Sequence, residues 1–505
     1  MPTALLSTYD KTGLVAFARQ LHHNGWQLIA SGGTARALEK AGLPVTPVSA
    51  ITGAPEMLEG RVKTLHPAIH AGILARDTEA DRAAVAARGW PLIDMVVVNL
   101  YPFEKVVAAA NASLPEVIEM IDIGGVALLR AAAKNFARVT ALCDPADYAE
   151  ALAPADPAAF RLRMAQKAFA RTAAYDAAIQ RYLAAQAEMP AATQITLFPT
   201  YPLRYGENPH QPATYYATSP QAMPLGATIR YAGKPLSYNN LLDLDAAWRT
   251  AQAFDAAAAV VVKHLSPCGV AVGESAAAAL PHAIASDPVS AFGSVIATNR
   301  SVDSAFVDAL GSLFVEAIIA PGFSPEAEAR LTAKRKRIRL LVRENGLPEH
   351  ETEYRSVLGG FLAQEVDHGD PPGTSWRVVT EKQPTPTEMA ALRFAWQAVQ
   401  HVKSNAVLLA RPVEGGFATV GIGGGQPNRV DCVRIAGERA GAQAAGSVLA
   451  SDAFFPFPDG IEEAAKLGVT AVVQPGGSIR DQQVIDAANR LGLAMVFTGV
   501  RHFRH

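Results

Sequence analysis

The run Ala259-Val260-Val261-Val262 sets the tightest limit on how this chain can fold. It is β-branched, too short for a helix and without polar alternation, so it predicts a strand covered on both faces of an α/β layer structure. It stops at Lys263-His264, ahead of Ser266-Pro267-Cys268-Gly269, which predicts a turn. Sheets of α/β proteins hold ligands outside the carboxyl ends of their strands, where the Lys–His pair falls. A neighbouring ammonium disfavours a second positive charge, so His264 is expected to stay neutral and able to accept a proton. Lys263 is expected to steady an oxygen that becomes negative. For the dipeptide alone, a Lys and a His that merely leave a strand into solvent are the stronger reading. The rest of the chain reverses it.

With 505 residues the chain exceeds a single core, and two to four domains are expected. A formal net charge of −2 gives no general pull toward nucleic acid or an anionic membrane, so any anionic ligand must be held by local basic residues. The only basic run, Lys334–Arg339, reads as a solvated helix face leading into a strand. Cys143, Cys268 and Cys432 lie far apart, which fits a reducing compartment without a disulfide framework. No leader peptide or long apolar span is visible, and a soluble cytoplasmic protein is expected.

The opening reads as βα units. Ala4–Ser7 is a short strand, and Leu14, Phe17, Ala18 and Leu21 mark a helix that Gly25 stops. Trp26–Ala30 is the next strand, running into Ser31-Gly32-Gly33-Thr34 before a helix over Ala35–Lys40. Small residues between a strand end and a helix start leave backbone N–H groups open to an anion, although a tight turn would look the same. Gly60-Arg61-Val62-Lys63-Thr64-Leu65-His66-Pro67 packs two cations and a hydroxyl into four positions. His66 and His70 are four apart, but Pro67 and the lack of a nearby carboxylate argue against a metal. A strand over Asp94–Leu100 ends in Asn99-Leu100-Tyr101-Pro102-Phe103. Ile121-Asp122-Ile123-Gly124-Gly125 precedes a helix carrying Arg130 and Lys134. Polar groups thus recur where strands hand over to helices, as in a doubly wound nucleotide-type domain.

These motifs, with Ala133-Lys134-Asn135, resemble the inosine monophosphate (IMP) cyclohydrolase domain of the bifunctional purine-biosynthesis enzyme family, whose fold is similar to methylglyoxal synthase. The resemblance implies that Lys11, Ser31, Gly32, Gly33, Thr34, Arg61, Thr64, Asn99 and Ile123 hold the nucleotide. It also implies that Lys63, Tyr101, Asp122 and Lys134 carry ring closure. The family reads Ser-Asp-Lys-Thr-Gly near its start, where this chain has Tyr9-Asp10-Lys11-Thr12-Gly13, so a ligand contact from position 9 is in question.

Pro154–Gln186 is Ala-rich with charges at helical spacing, and predicts one or two closing helices. Met189–Pro202 carries three prolines and marks the domain boundary, giving domains over 1–193 and 194–505. Leu203–Gln211 and Leu236–Asp243 read as polar stretches between structured segments. Ser286–Gly293, a strand over Glu316–Ala320, Lys403–Ala406, the turn Gly423–Arg429 and Ser451–Phe457 follow. The aromatics of the last could line a flat pocket or form a satellite core cluster. Neither a P-loop nor a Rossmann glycine fingerprint is present. Pro267-Cys268 has Ala271 where a zinc site needs a second Cys, and no His-x-Glu precedes it, so no metal is expected.

These segments resemble the transformylase half of the same family, whose core is similar to a duplicated cytidine-deaminase fold without the metal. The resemblance implies formyl transfer from 10-formyltetrahydrofolate to aminoimidazole carboxamide ribonucleotide (AICAR), and closure of formyl-AICAR to IMP. It implies Lys263 and His264 as catalytic residues, with Arg204, Tyr205, Gly293, Glu316, Asn405 and Arg429 holding AICAR. The folate would meet Val430, Phe454, Asp459, Ser478, Ile479 and Arg501. A homodimer sharing the transformylase site is also implied. Two other readings stay open: a first domain that only senses nucleotides, and an enzyme with one dead half. Presence of Lys63, Tyr101, Asp122, Lys134 and His264 argues against both.

Overall fold

The computed structural model describes residues 1–58, 61–109, 112–187 and 192–505, so Gly60 and the Met189 end of the expected boundary lie outside the described residues. The chain divides into two compact units, Met1–Thr196 and Leu197–His505.

The first unit is built on β1 (Thr3–Leu6), β2 (Gln27–Ala30), β3 (Thr46–Pro47), β4 (Met95–Val97) and β5 (Thr140–Leu142), in the order β3-β2-β1-β4-β5. All pairs are parallel. Alternate strand side chains feed different faces. Leu5, Ile29 and Val96 join Leu128, Leu129 and Ala165 in one cluster, while Leu6, Leu28 and Val97 join Leu14, Phe17 and Leu21 in another. With cover on both faces, ligand access falls to the strand ends. Pro154–Gln186 resolves as a single helix, Pro157–Gln186, capped by Asp156. The strand expected over Asp94–Leu100 is shorter, Met95–Val97, which leaves Asn99 and Tyr101 in the loop beyond it.

In the second unit, β6 (Phe198–Pro202) pairs with β7 (Thr214–Ala217). A first half follows: β8 (Thr228–Ala232), β9 (Ala257–Lys263), β10 (Ser266–Gly273), β11 (Ser294–Thr298), β12 (Val315–Ala320) and β13 (Arg339–Val342). The hairpin β14 (Thr352–Val357) and β15 (Gly360–Glu365) comes next. The second half repeats the first: β16 (Arg377–Val378), β17 (Val407–Val413), β18 (Gly416–Gly423), β19 (Val448–Ser451), β20 (Ala471–Gln474) and β21 (Ala494–Phe497). Each half runs edge strand, helix, hairpin, then three strands separated by helices. The halves meet at the antiparallel β10–β18 pair in one 12-stranded sheet, β16-β21-β20-β19-β17-β18-β10-β9-β11-β12-β13-β8. The lead helices of both halves, Tyr238–Gln252 and Pro386–Val399, share one cluster on a single face, holding Trp248 and Trp396 together with Val260 and Val262.

Three expectations are corrected here. Ser266–Gly269 is the start of β10, and the turn is His264-Leu265, enclosed by the Lys263–Ser266 pair. Tyr238–Asp243 is helix, because Ser237 and Asn240 cap each other's backbone reciprocally. Arg339 does not belong to a solvated run; it is 1% exposed and pairs with Glu316. Among the described residues no helix is long and apolar enough to cross a membrane.

Candidate active sites

In the first unit, polar groups gather beyond β1, β2 and β4. Ser31 takes the N-cap of the helix Gly32–Lys40 without capping any amide by its side chain; its hydroxyl lies 3.0 Å from that of Ser7. The first-turn N–H groups therefore lack a side-chain cap, and the helix dipole favours an anion there. A Cβ at Gly32 would lie 3.1 Å from Glu56 Oε1 and 3.7 Å from Lys63 Nζ. One at Gly33 would lie 3.7 Å from Arg36 Nη2 and 3.9 Å from Lys11 Nζ. Lys11, Arg36 and Lys63 thus converge on the two glycines. Thr34 is engaged internally, accepting from Thr8 N at 3.0 Å and donating to Thr8 O at 3.1 Å.

Asn99 anchors the segment that carries Lys11. Its Oδ1 accepts from Tyr9 N and Asp10 N at 2.7 and 2.8 Å, and its Nδ2 donates to Asp10 O at 2.8 Å. Tyr9 packs its ring edge-on against Tyr101, 5.5 Å between centroids, so the replaced residue becomes part of an aromatic wall.

Asp122 bends back over the next helix start. Its Oδ1 accepts from Gly125 N at 2.7 Å, and it also takes the N–H of Tyr101. Burial pushes this carboxyl above its ordinary range, against those N–H groups and the charge of Lys63. Thr64 is buried, with Oγ1 2.9 Å from where a Cβ on Gly124 would sit. Ile123, the N-cap, is exposed. Arg61 is exposed and ion-paired with Glu119. Lys134 ends the helix Gly124–Lys134. Ten residues of helical rise put its backbone about 15 Å from Gly124, so the structure does not bring it to Asp122. Sequence reasoning passed over Arg36, Glu56 and Tyr175; Arg36 was findable as a cation two residues after the Ser-Gly-Gly-Thr motif.

In the second unit, strand direction decides the geometry. β9, β8, β18, β19, β20 and β21 run one way, and β10, β11, β12, β13 and β17 the other. The carboxyl end of β9, with Lys263-His264, therefore shares one sheet edge with the amino ends of β11, β12 and β17, which carry Gly293, Glu316 and Asn405. The same edge receives Arg429 and Val430 after β18, Phe454 and Asp459 after β19, Ser478 and Ile479 after β20, and Arg501 after β21. Arg204 N bonds Leu236 O, and Tyr238 N bonds Tyr205 O, tying Arg204 and Tyr205 to the helix start at that edge. Every transformylase residue expected from the sequence lies there.

At the hairpin tip Lys263 Nζ donates to Phe292 O at 2.8 Å. His264 and Leu265 both adopt left-handed backbone, φ +55° and +66°, which costs a side-chain-bearing residue about 1–2 kcal/mol each. Asp243 Oδ1 accepts from Leu265 N at 2.7 Å, and the carboxylate also takes the His264 N–H. Hydrogen bonds to a charged group contribute roughly 1.5–3 kcal/mol, enough to offset much of that strain. Burial raises the Asp243 carboxyl, and those N–H groups oppose the shift. Asp243 was missed because its stretch read as loop.

Glu316, Arg429 and Asn405, all expected to hold AICAR, have internal partners. The carboxylate of Glu316 pairs with Arg339, which also donates to Lys234 O and Pro235 O. Buried Arg429 donates to Ser451 Oγ at 2.8 Å and Asn405 Oδ1 at 2.7 Å, and pairs with Asp452. The Ser451–Phe457 aromatics divide: Phe455 is core, while Phe457 is exposed beneath Arg480, 4.3 Å from guanidinium carbon to ring. Arg501 stacks likewise on Phe503, at 4.4 Å. Burial pushes the Cys268 thiol up to about 11. Among the described residues no group of three His, Cys, Asp or Glu is placed to hold a metal.

Fold and sites together define a two-unit α/β enzyme with a cation-lined helix start on a doubly wound sheet and a Lys–His pair at the edge of a duplicated one. Residues 132–439 match the AICARFT/IMPCHase bienzyme family, and residues 13–127 match the MGS-like domain. The bifunctional purine biosynthesis protein PurH of Desulfitobacterium hafniense is 50% identical over 519 residues, covering 99% of each chain. PurH of Chloroflexus aurantiacus is 50% identical over 515 residues, covering 99% of this chain and 98% of that protein. PurH of Myxococcus xanthus is 50% identical over 521, covering 99% and 100%. The chain belongs to the AICARFT/IMPCHase bienzyme family.

Proposed function

We propose that the family's two activities occupy separate units, ring closure to IMP in residues 1–193 and formyl transfer in residues 194–505. The protein is a bifunctional enzyme of purine biosynthesis. It transfers a formyl group from 10-formyltetrahydrofolate to AICAR, then closes formyl-AICAR to IMP with loss of water. The observation that carries the assignment of transfer is the gathering of Lys263, His264 and their expected ligand neighbours on one sheet edge.

An amine on an electron-poor ring is a weak nucleophile and needs a base as it attacks. His264 takes its proton while the nitrogen bonds to the formyl carbon. Lys263 faces the oxygen that becomes negative, a type of contact worth about 2.7–4 kcal/mol of barrier. Collapse of that intermediate releases tetrahydrofolate. In the first unit the nucleotide phosphate lies at Ser31–Thr34 beside Lys11 and Arg36. The carboxamide nitrogen attacks the formyl group held beside it, so proximity supplies most of the rate. Asp122 and Tyr101 move protons, and Lys63 steadies the oxygen. Lys134 is left outside this cluster.

The folate residues begin with Val430 after β18 and continue beyond β19, β20 and β21, so that most lie four or more strand spacings, at least about 19 Å, along the edge from β9. That distance supports a homodimer in which each copy completes the other's transfer site. We place the enzyme in the cytoplasm, with small molecules rather than nucleic acid or membrane as its partners. The test uses the full chain: Lys63→Ala should lose cyclisation of supplied formyl-AICAR and keep formyl transfer, and His264→Ala should do the reverse. If either folded variant loses both activities alike, the division between units is wrong.

A further inference from the structure

The two halves of the mixed sheet act as an internal control on the His264 turn. The lead helix of each half is reciprocally capped, Ser237 with Asn240 and Thr385 with Glu388. Counted from those caps, Trp248 matches Trp396 and Asp243 matches Ala391. Each helix leads into a two-residue hairpin, His264-Leu265 inside the Lys263–Ser266 pair and Glu414-Gly415 inside the Val413–Gly416 pair. Counted from the hairpins, Leu265 matches Gly415. In the second half the left-handed position, φ +71°, is glycine, which adopts it freely, and the matching helix residue is a buried alanine that accepts nothing. In the first half both turn residues carry side chains, and the matching helix residue is a carboxylate bonded to the turn's N–H groups. The two hairpins have equal length but differ at their first turn position: Glu414 is not left-handed, whereas His264 and Leu265 both are, so the first half holds the more strained turn without a glycine.

We propose that Asp243 is a positioning residue for formyl transfer: its carboxylate gathers the N–H groups of the His264-Leu265 turn and fixes the left-handed conformation that presents His264. A glycine turn would reach that conformation but would also visit others, leaving the imidazole without a set direction. Lys263 is fixed separately, through Phe292 O. The inference rests on His264 serving in formyl transfer.

The experiment uses the full chain, with cyclisation of supplied formyl-AICAR and thermal melting as controls on folding. Asp243→Ala should lower the kcat of formyl transfer about thirtyfold, as misplacement of a reacting group does. KM for AICAR should change by no more than about threefold, since binding groups stay in place. Adding Leu265→Gly to Asp243→Ala should recover about fivefold of that loss, because glycine takes the positive φ unaided. Asp243→Asn keeps an acceptor oxygen in the same place and should retain more activity than the alanine variant, and it serves as the readout if Asp243→Ala misfolds. An unchanged kcat in folded Asp243→Ala overturns the inference. So does a loss that Leu265→Gly cannot recover, or an Asn variant as inactive as Ala, since either would mean the carboxylate acts through its charge. His264→Ala separates the two readings: if it retains transfer, the role of His264 fails whatever Asp243 does.

Discussion

The hydroxyl of Tyr175 spans the loop that carries Asp122, accepting the Asp122 N–H at 2.9 Å and donating to Met120 O at 2.5 Å. Tyr175 is fully buried and comes from the long helix Pro157–Gln186, so a helix expected only to close the domain also holds the loop of the carboxylate proposed to move protons. Burial pushes its phenol up to about 12, and it remains a donor throughout the neutral range. Tyr175→Phe leaves a half-buried N–H and a half-buried carbonyl without this partner, which should cost about 1–3 kcal/mol of stability in the first unit. Cyclisation should fall while formyl transfer holds. Urea unfolding and the two activity assays check this, and equal losses in both activities would place the tyrosine's role elsewhere.

Lys63 should tune Asp122. The folded-state value of that carboxyl is raised, chiefly by burial, and the Lys63 charge is one of the influences that restrain the rise. Lys63→Met removes that restraint, so the Asp122 carboxyl of the folded variant should titrate at higher pH than in wild type, as carboxyl NMR would read. Folded Asp122 with a raised value is a stability cost once ionised, and the variant should therefore lose more stability than wild type as pH climbs through the carboxylate range. An Asp122 titration that does not move in the folded variant would separate the two residues.

Arg429 should prove as much a strut as a ligand contact. It is buried with Asp452, which is 0% exposed. Arg429→Ala strands that carboxylate and should cost the second unit about 3–5 kcal/mol. Replacing both, as Arg429→Met with Asp452→Leu, should cost clearly less than the sum of the single changes. Denaturant unfolding of all three variants measures the coupling; strict additivity would show that the pair does not act together.

The parts of this fold that were legible from sequence are those where local pattern and tertiary context agree. Leu14, Phe17, Ala18 and Leu21 sit on one helical face and are all buried, and the β-branched run 259–262 is strand. The hairpin tip was not legible, because His264-Leu265 has none of the Gly or Asn that such turns normally require, and the compensation comes from Asp243 some twenty residues earlier. The Tyr238 helix was hidden by Asn239-Asn240, polar residues that suit loops, although Ser237 and Asn240 form a helix-start signal. Arg339 looked solvated as the last member of a basic run; only the fold reveals that Glu316 waits beside it. The duplication rests on Trp248 and Trp396 and on strand order, since few other side chains repeat.

The C-terminal segment should behave as a pH-dependent latch. Buried His502 places Nδ1 2.6 Å from Asp367 Oδ2 and Nε2 2.9 Å from Asp370 Oδ1, while Trp396 Nε1 also donates to Asp370 Oδ1 at 3.0 Å. His502 N bonds Asp452 O, and Arg504 N bonds Ser404 Oγ at 3.0 Å, so the latch reaches the Arg429 cluster. Burial alone would lower the His502 imidazole, but the two carboxylates outweigh it and hold it above its ordinary 6.5. Nearby His401 is driven the other way, down to about 3, by burial and by the Arg504 charge, and stays uncharged. A raised folded-state value means that the stabilisation from His502 is complete below about 6.5 and is lost as pH rises through the folded value. Asp367 limits the acid side: burial raises it, yet the His502 and Gly369 hydrogen bonds hold it below 3.8, so its contribution is lost only as pH falls through that lowered value. His502→Gln should therefore cost about 1–3 kcal/mol near pH 6, with a smaller penalty as pH rises through the raised value of the wild-type imidazole. Melting temperatures of wild type and variant across that range measure the gap; a gap that stays constant would mean that the latch holds by packing alone.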